Sequence, residues 1–367
     1  MDKRPADTYS ESDRHVWVLN HKRAVFFSQE VVVVLTSTTL LVKGAELVVE
    51  CAGVVEGANV IVLCDKDRWL EGEAVAGVCQ ARGAHPMILD VTTEVMWYYN
   101  NLKRPIPKPH LLGAMMGADF CFAVADGEYC HGVGHTDSQH DAQRNGMRYV
   151  IVEEYMSEWK TTKKDIDDFI ARTHRITEMV SECREVVVTT TKGTSMVFPR
   201  RAETDGLSFV PIGGEMSCVS PNYAESAMVP QEWTSHGQAV IDGVLVGLGE
   251  MTNDPVTWEV KDGRIVEVKG GVNAERFRQF LEESGENAGA IAECGICTSH
   301  VQKRAYEYMG RPAHWSVGAR GTVHIGIGHN TTIGGAITSP IHVDCQMYDT
   351  TVEIDGVKVM DKGKYVE

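Results

Sequence analysis

Two patterns of apolar positions divide the chain. From about residue 45 to 190, unbroken apolar runs read as strands: NVIVLC (59–64), PMILDV (86–91), DFCFAVA (119–125), MRYVIV (147–152) and EVVVTT (185–190). Between them, helical spacing covers 69–82, 109–117, 137–145 and 163–181. Strands without polar alternation are buried on both faces, and the strand–helix–strand rhythm is that of a parallel sheet. Upstream, the run from Glu30 to Gly53 begins densely apolar and passes into one-turn spacing at Leu40, Leu41, Ala45 and Val48, which predicts a first long helix.

Past about residue 200 the period becomes two. TWEVKDGRIVEVKGG (257–271) is a strand, an Asp262-Gly263 turn and a second strand, and TVEIDGVKV (351–359) has the same form. Asp-Gly between alternating runs is a strong hairpin signal. One helix is predicted over 273–284. The expected architecture is an α/β N-terminal domain, a parallel sheet with helices on the substrate side, over 1–195, then a β-rich α+β metal-binding catalytic domain over 196–367. A chain of 367 residues fits two such domains.

Composition narrows the function classes. With 43% apolar and 23% charged residues the chain is of the ordinary globular kind. No apolar run approaches the roughly 18 residues that span a bilayer. The polar N-terminus lacks a secretory apolar core, which predicts a cytoplasmic protein. A formal charge of −16 argues against nucleic acid and anionic membrane as partners and leaves a small molecule. Ten cysteines scattered through apolar runs predict reduced core residues. Cys294-Gly-Ile-Cys297 has no second pair and is read as packing rather than redox or zinc chemistry. No GxGxxG or P-loop follows any strand, so nucleotide binding is not supported.

Candidate chemistry lies in two places. Beyond the 119–125 strand, Asp126-GEYCHGVGHTDSQHD carries His131, His135 and His140, and open α/β sheets bind ligands at strand C-termini. In the second half stand Glu215, Glu293, His324 and His342-Val-Asp344. Residues two apart on a strand share a face, so the last pair can converge on one ion. Oxygen and imidazole donors without thiolate suit a catalytic divalent metal: Zn, Co, Mn or Fe(II). Three of them hold one ion with open positions, and all five hold two. His140 and His329 are candidate proton carriers. His131, His135, Ser339 and Arg320 are candidate substrate contacts, Arg320 for a carboxylate.

The order Glu215, Glu293, His324, His342-x-Asp344, with VKDGRIVEVKGG between the first two and EIDGVKV at the close, resembles the aminopeptidase T metallopeptidase family. That resemblance implies a two-metal site on those five residues, an enclosed site between the domains and a homodimer. The family's catalytic tyrosine falls on Thr331. HNTTIGGAITSPIHVD and SQHDAQRNGMRYVIVEE resemble a second branch of the superfamily, the 2,5-dihydroxypyridine 5,6-dioxygenases. There His140 matches a substrate-side base, and one Fe(II) is held by two histidines and an aspartate, the first of them replaced here by Glu293. The expected function is metal-dependent hydrolysis of an amide or peptide-like C–N bond in a small substrate. The alternatives are Fe(II)-dependent extradiol-type cleavage of a dihydroxypyridine-like ring, and a non-catalytic, metal-stabilised binding protein.

Overall fold

The computed structural model describes residues 38–152, 154–212, 218–308 and 316–366. The helix expected from Glu30 is described over 38–52, and its first residues lie outside the described part. Four strands, Asn59–Cys64, His85–Asp90, Phe120–Ala123 and Arg148–Ile151, pair in parallel, and the short strand Cys218–Val219 adds to them. Across the sheet the order is His85–Asp90, Asn59–Cys64, Phe120–Ala123, Arg148–Ile151, Cys218–Val219. The chain therefore reverses its direction of travel between Asn59–Cys64 and Phe120–Ala123. Such a switch point opens a crevice at the strand C-termini, where ligands bind.

The remaining strands form two antiparallel sheets, of eight and seven strands. They pack face to face. Val188, Phe198, Ile241 and Trp258 of the larger sheet share one core with Ile296, Ile325, Val343 and Met347 of the smaller. The helix Val272–Ser284 closes one side of this sandwich by stacking Phe277 on Trp258, ring centroids 5.1 Å apart. Both expected hairpins form, with Asp262-Gly263 and Asp355-Gly356 all at positive φ (48°, 63°, 47° and 80°). This is the conformation a tight two-residue hairpin turn requires.

Three elements differ from expectation. Glu185–Thr189, read as a strand of the α/β layer, pairs antiparallel with Ser195–Pro199 and Thr351–Ile354 in the eight-stranded sheet. Its burial alternates, whereas Phe120–Ala123 is buried throughout. Thr92–Asn101 is a helix in a stretch that carried no expected element. The stretch after Phe120–Ala123, read as a loop, begins with the helix Gly127–Gly134, capped where the Asp126 carboxylate accepts from Tyr129 N. No helix among the described residues is long and apolar enough to cross a membrane. Cys294 and Cys297 are buried free thiols. Three apart on a strand, they lie on opposite faces.

Candidate metal centre

The central strands of the seven-stranded sheet alternate in and out, with one irregularity of register between Ile291 and Glu293. In Ile291–Cys297, Thr322–Gly328 and His342–Tyr348, one set of positions (Cys294, Ile296, Val323, Ile325, Ile327, Val343, Cys345, Met347) enters the sandwich core. The other set carries the chemistry. Register places Glu225 opposite Cys297, His324 opposite Gly295, and Gly326 opposite both Glu293 and Asp344, with His342 opposite Gly328. Paired residues share a face. Glu225, Glu293, His324, His342 and Asp344 therefore stand together, each no more than 4% exposed.

Their contacts are close. His342 Nε2 lies 3.4 Å from Glu293 Oε2 and 3.3 Å from Asp344 Oδ1. His324 Nε2 lies 3.3 Å from Glu225 Oε1 and 3.8 Å from Asp344 Oδ2. Two triads have ligand atoms within 4.8 Å of one another, Glu225–Glu293–His324 and Glu293–His342–Asp344, and Glu293 belongs to both. The glycines opposite them are required. A Cβ on Gly295 would overlap His324 Nε2 and Glu225 Oε1, and one on Gly326 would come within 2.7 Å of Glu293 Cβ.

The donor set fits a divalent metal ion. Glu225 Oε1, His342 Nε2 and Asp344 Oδ1 are buried without a hydrogen-bond partner. Buried polar atoms are nearly always paired, so such a cluster of exceptions needs a ligand. His342 Nδ1 donates to the His329 carbonyl at 2.6 Å, which turns Nε2 towards the carboxylates. Tyr223 Oη donates to Glu225, orienting that carboxylate in turn. The mixture of carboxylate and imidazole, without thiolate, selects hard-to-borderline ions.

Charge balance points the same way. Burial works against a charged His324, but Glu225 and Asp344 hold its pKa well above the usual histidine range. Burial likewise opposes charge on His342, and Asp344 with Glu293 holds it up to about 10. Asp344 stays well below the carboxylate range despite its burial, because His324 and His131 stand beside it. Both rings hold protons until an ion displaces them, so affinity rises with pH.

The α/β layer covers this face at its switch point. His131 and His135, on and just after the helix Gly127–Gly134, reach the sheet: His131 Nε2 is 3.2 Å from Asp344 Oδ2, and the His135 ring stacks on His342 at 3.6 Å. His140, on Asp137–Arg144, donates from Nε2 to the Gly134 carbonyl at 2.9 Å. Its basic nitrogen is then Nδ1, and burial lowers the ring's pKa, so it is neutral at physiological pH. A cavity of about 60 Å³ lies between these histidines and Glu225, Glu293, His324 and Asp344, walled by Tyr149, Ile151, Phe209 and Ile333.

Other expected residues have different surroundings. Glu215 lies outside the described residues. His329 holds His342 through its carbonyl, and its ring faces Thr331 Oγ1 at 2.8 Å. Its pKa is lowered to about 4 by burial and by Arg104. The Ser339 carbonyl accepts from Arg104 Nη2 at 3.0 Å. Arg320 pairs with Glu307 at 2.6 Å, and does not line the cavity. Residues absent from the sequence reading are Glu225, Tyr223 and Gln139. Gln139 lines the cavity, is 1% exposed, and both its amide atoms lack a partner.

The chain has known relatives. The chain matches the family described as NicX, 2,5-dihydroxypyridine 5,6-dioxygenase, over residues 41–367. The structure of 2,5-dihydroxypyridine dioxygenase from Pseudomonas putida KT2440 is similar at a TM-score of 0.70 and 17% identity, covering 90% of this chain and 97% of that one. Wild-type AmpT from Thermus thermophilus is similar at a TM-score of 0.59 and 14% identity, covering 90% and 99%. No curated protein matches the sequence. At these identities the two structures share the fold, an α/β layer set against antiparallel sheets, while the match along nearly the whole chain identifies the family. The chain belongs to the 2,5-dihydroxypyridine 5,6-dioxygenase (NicX) family.

Proposed function

We propose that this chain is a metal-dependent hydrolase acting on a C–N bond, amide or peptide-like, in a small substrate. The observation that carries the reading is the pair of ligand triads sharing Glu293 on one buried sheet face. Among the described residues, three carboxylates and two imidazoles, Glu225 among them, are the donors of a two-ion centre; the expected ligand Glu215 lies outside the described residues. Divalent ions held there would supply Lewis acidity, polarising a carbonyl and lowering the pKa of water. The protein's own part is positional and acid–base. His140, neutral with Nδ1 as its basic nitrogen, accepts the proton released by attacking water and returns it to the leaving nitrogen. The cavity walls exclude bulk water and limit the substrate's size.

Gln139 reads the substrate. Its buried amide offers one donor group and one acceptor to an amide-like edge. Replacing it by Met of similar shape removes two unsatisfied atoms, so Gln139→Met is expected to leave the melting temperature unchanged or slightly raised. The same substitution is expected to raise KM about ten-fold, the loss of one to two hydrogen bonds. Thermal melts beside steady-state kinetics check both.

A second reading is ring-cleaving dioxygenase chemistry with one Fe(II). It is supported by the family match and by the pairing of His131 and His342 with Asp344, which supplies two imidazoles and one carboxylate. Anaerobic assay separates the two. Hydrolysis proceeds at an unchanged rate without oxygen and is lost in Glu225→Ala. Turnover that stops without oxygen and survives Glu225→Ala identifies the dioxygenase.

A further inference from the structure

We propose that His131 and His135 are metal ligands supplied by the α/β layer, so that the ion held by His342 and Asp344 joins the two layers. The proposal rests on the reading that the sheet carboxylates and imidazoles hold a divalent ion. Its own observations are separate. His131, His135 and His342 each bring a ring nitrogen to within 4.8 Å of the other two. His131 Nε2 is 3.2 Å from Asp344 Oδ2 and 3.1 Å from His135 Nε2. His342 is 4% exposed, and its Nε2 has no hydrogen-bond partner; neither has His135 Nδ1.

The placement is built into the chain rather than incidental. His131 and His135 are four apart, so both project from one side of the turn that ends the helix Gly127–Gly134. Arg104 ties that end to the sheet. Its Nη1 donates to the His135 carbonyl at 3.0 Å, its Nη2 to the Ser339 carbonyl at 3.0 Å, and its backbone N–H to Pro340 at 2.9 Å. One side chain thus fixes the histidine turn relative to the loop that enters His342–Tyr348. Gly132 keeps the helix close, since a Cβ there would stand 2.8 Å from Pro105 Cδ.

Neutral imidazoles added to carboxylates shift a site's preference from magnesium or calcium towards zinc, cobalt or iron. They also make the ion a clamp. Its binding would slow opening of the segment 127–144 against the sheet, which a site confined to the sheet would not do.

The test uses the full chain, freed of metal, and titrates Zn(II) against a chromophoric chelator. Hydrogen exchange is then followed with and without Zn(II). In wild type, Zn(II) is expected to slow exchange at least ten-fold in both 127–144 and 342–348. In the His131→Ala/His135→Ala double variant, affinity is expected to fall at least ten-fold, with protection kept in 342–348 and lost in 127–144. The His131→Gln/His135→Gln variant, which keeps volume and polarity, is expected to behave alike and guards against misfolding. Wild-type affinity in both double variants, with 127–144 still protected, overturns the proposal and leaves the sheet site standing. Failure of wild type to bind Zn(II) at all overturns both.

Discussion

Asp344→Asn is expected to abolish metal binding and activity while preserving the sheet. Among the described residues its carboxylate is the one group that contacts three imidazoles, His131 at 3.2 Å, His342 at 3.3 Å and His324 at 3.8 Å. Asparagine has the same shape and no charge. Losing an outer partner of a metal ligand typically costs 10–100-fold in affinity or activity, and loss of a charged ligand exceeds that, so kcat/KM should fall by about 10³-fold or more. Metal analysis after dialysis, with circular dichroism to confirm the fold, checks the result. A variant retaining its full metal complement would remove Asp344 from the site.

Gly295→Ala carries the second large effect, and it tests the geometry of the cradle rather than the donors. The added methyl meets the far ends of two side chains, His324 Nε2 and Glu225 Oε1, rather than backbone. Those ends can swing aside, so the fold survives at the usual cost of overpacking, about 1–3 kcal/mol. The ligand atoms, however, no longer converge. Metal affinity should drop about 10²-fold, with a modest decrease in melting temperature. Gly77→Ala is the control: nothing lies within 4 Å of its Cβ, in the helix Trp69–Ala81. It should stabilise by about 0.5–1 kcal/mol and leave metal binding unchanged.

These two positions show how much of the centre is legible in the sequence. His342 and Asp344 are two apart on one strand, so the face they share follows from spacing alone, while Glu293 and His324 stand in apolar runs that mark their strands and join that face by register. Glu225 opens a four-residue strand, Glu225–Met228, buried at every position, and only its register against Cys297 brings it to the site. That pairing spans 72 residues of chain (297 minus 225), which local pattern cannot supply. The helix Gly127–Gly134 was hidden for a different reason. Three glycines in eight residues give poor helix propensity, and packing of Gly132 on Pro105 overrides it. The three histidines beyond the 119–125 strand were visible, but their convergence on the sheet depends on two layers meeting.

The parallel strands and both hairpins were likewise legible, one from continuous apolar runs and the other from Asp-Gly turns. Three consecutive valines conceal the alternation of Glu185–Thr189, so the sequence alone places it in the α/β layer. Arg320 is a candidate contact for a substrate carboxylate from the sequence alone. Its acidic partner Glu307, thirteen residues earlier, engages it instead.

The most direct test of the central claim is metal stoichiometry of the protein purified without added metal, by elemental analysis and native mass spectrometry, in wild type and Glu225→Ala. A two-ion hydrolytic centre gives about two non-redox divalent ions per chain, and fewer in Glu225→Ala. One iron per chain, unchanged by Glu225→Ala, would contradict it.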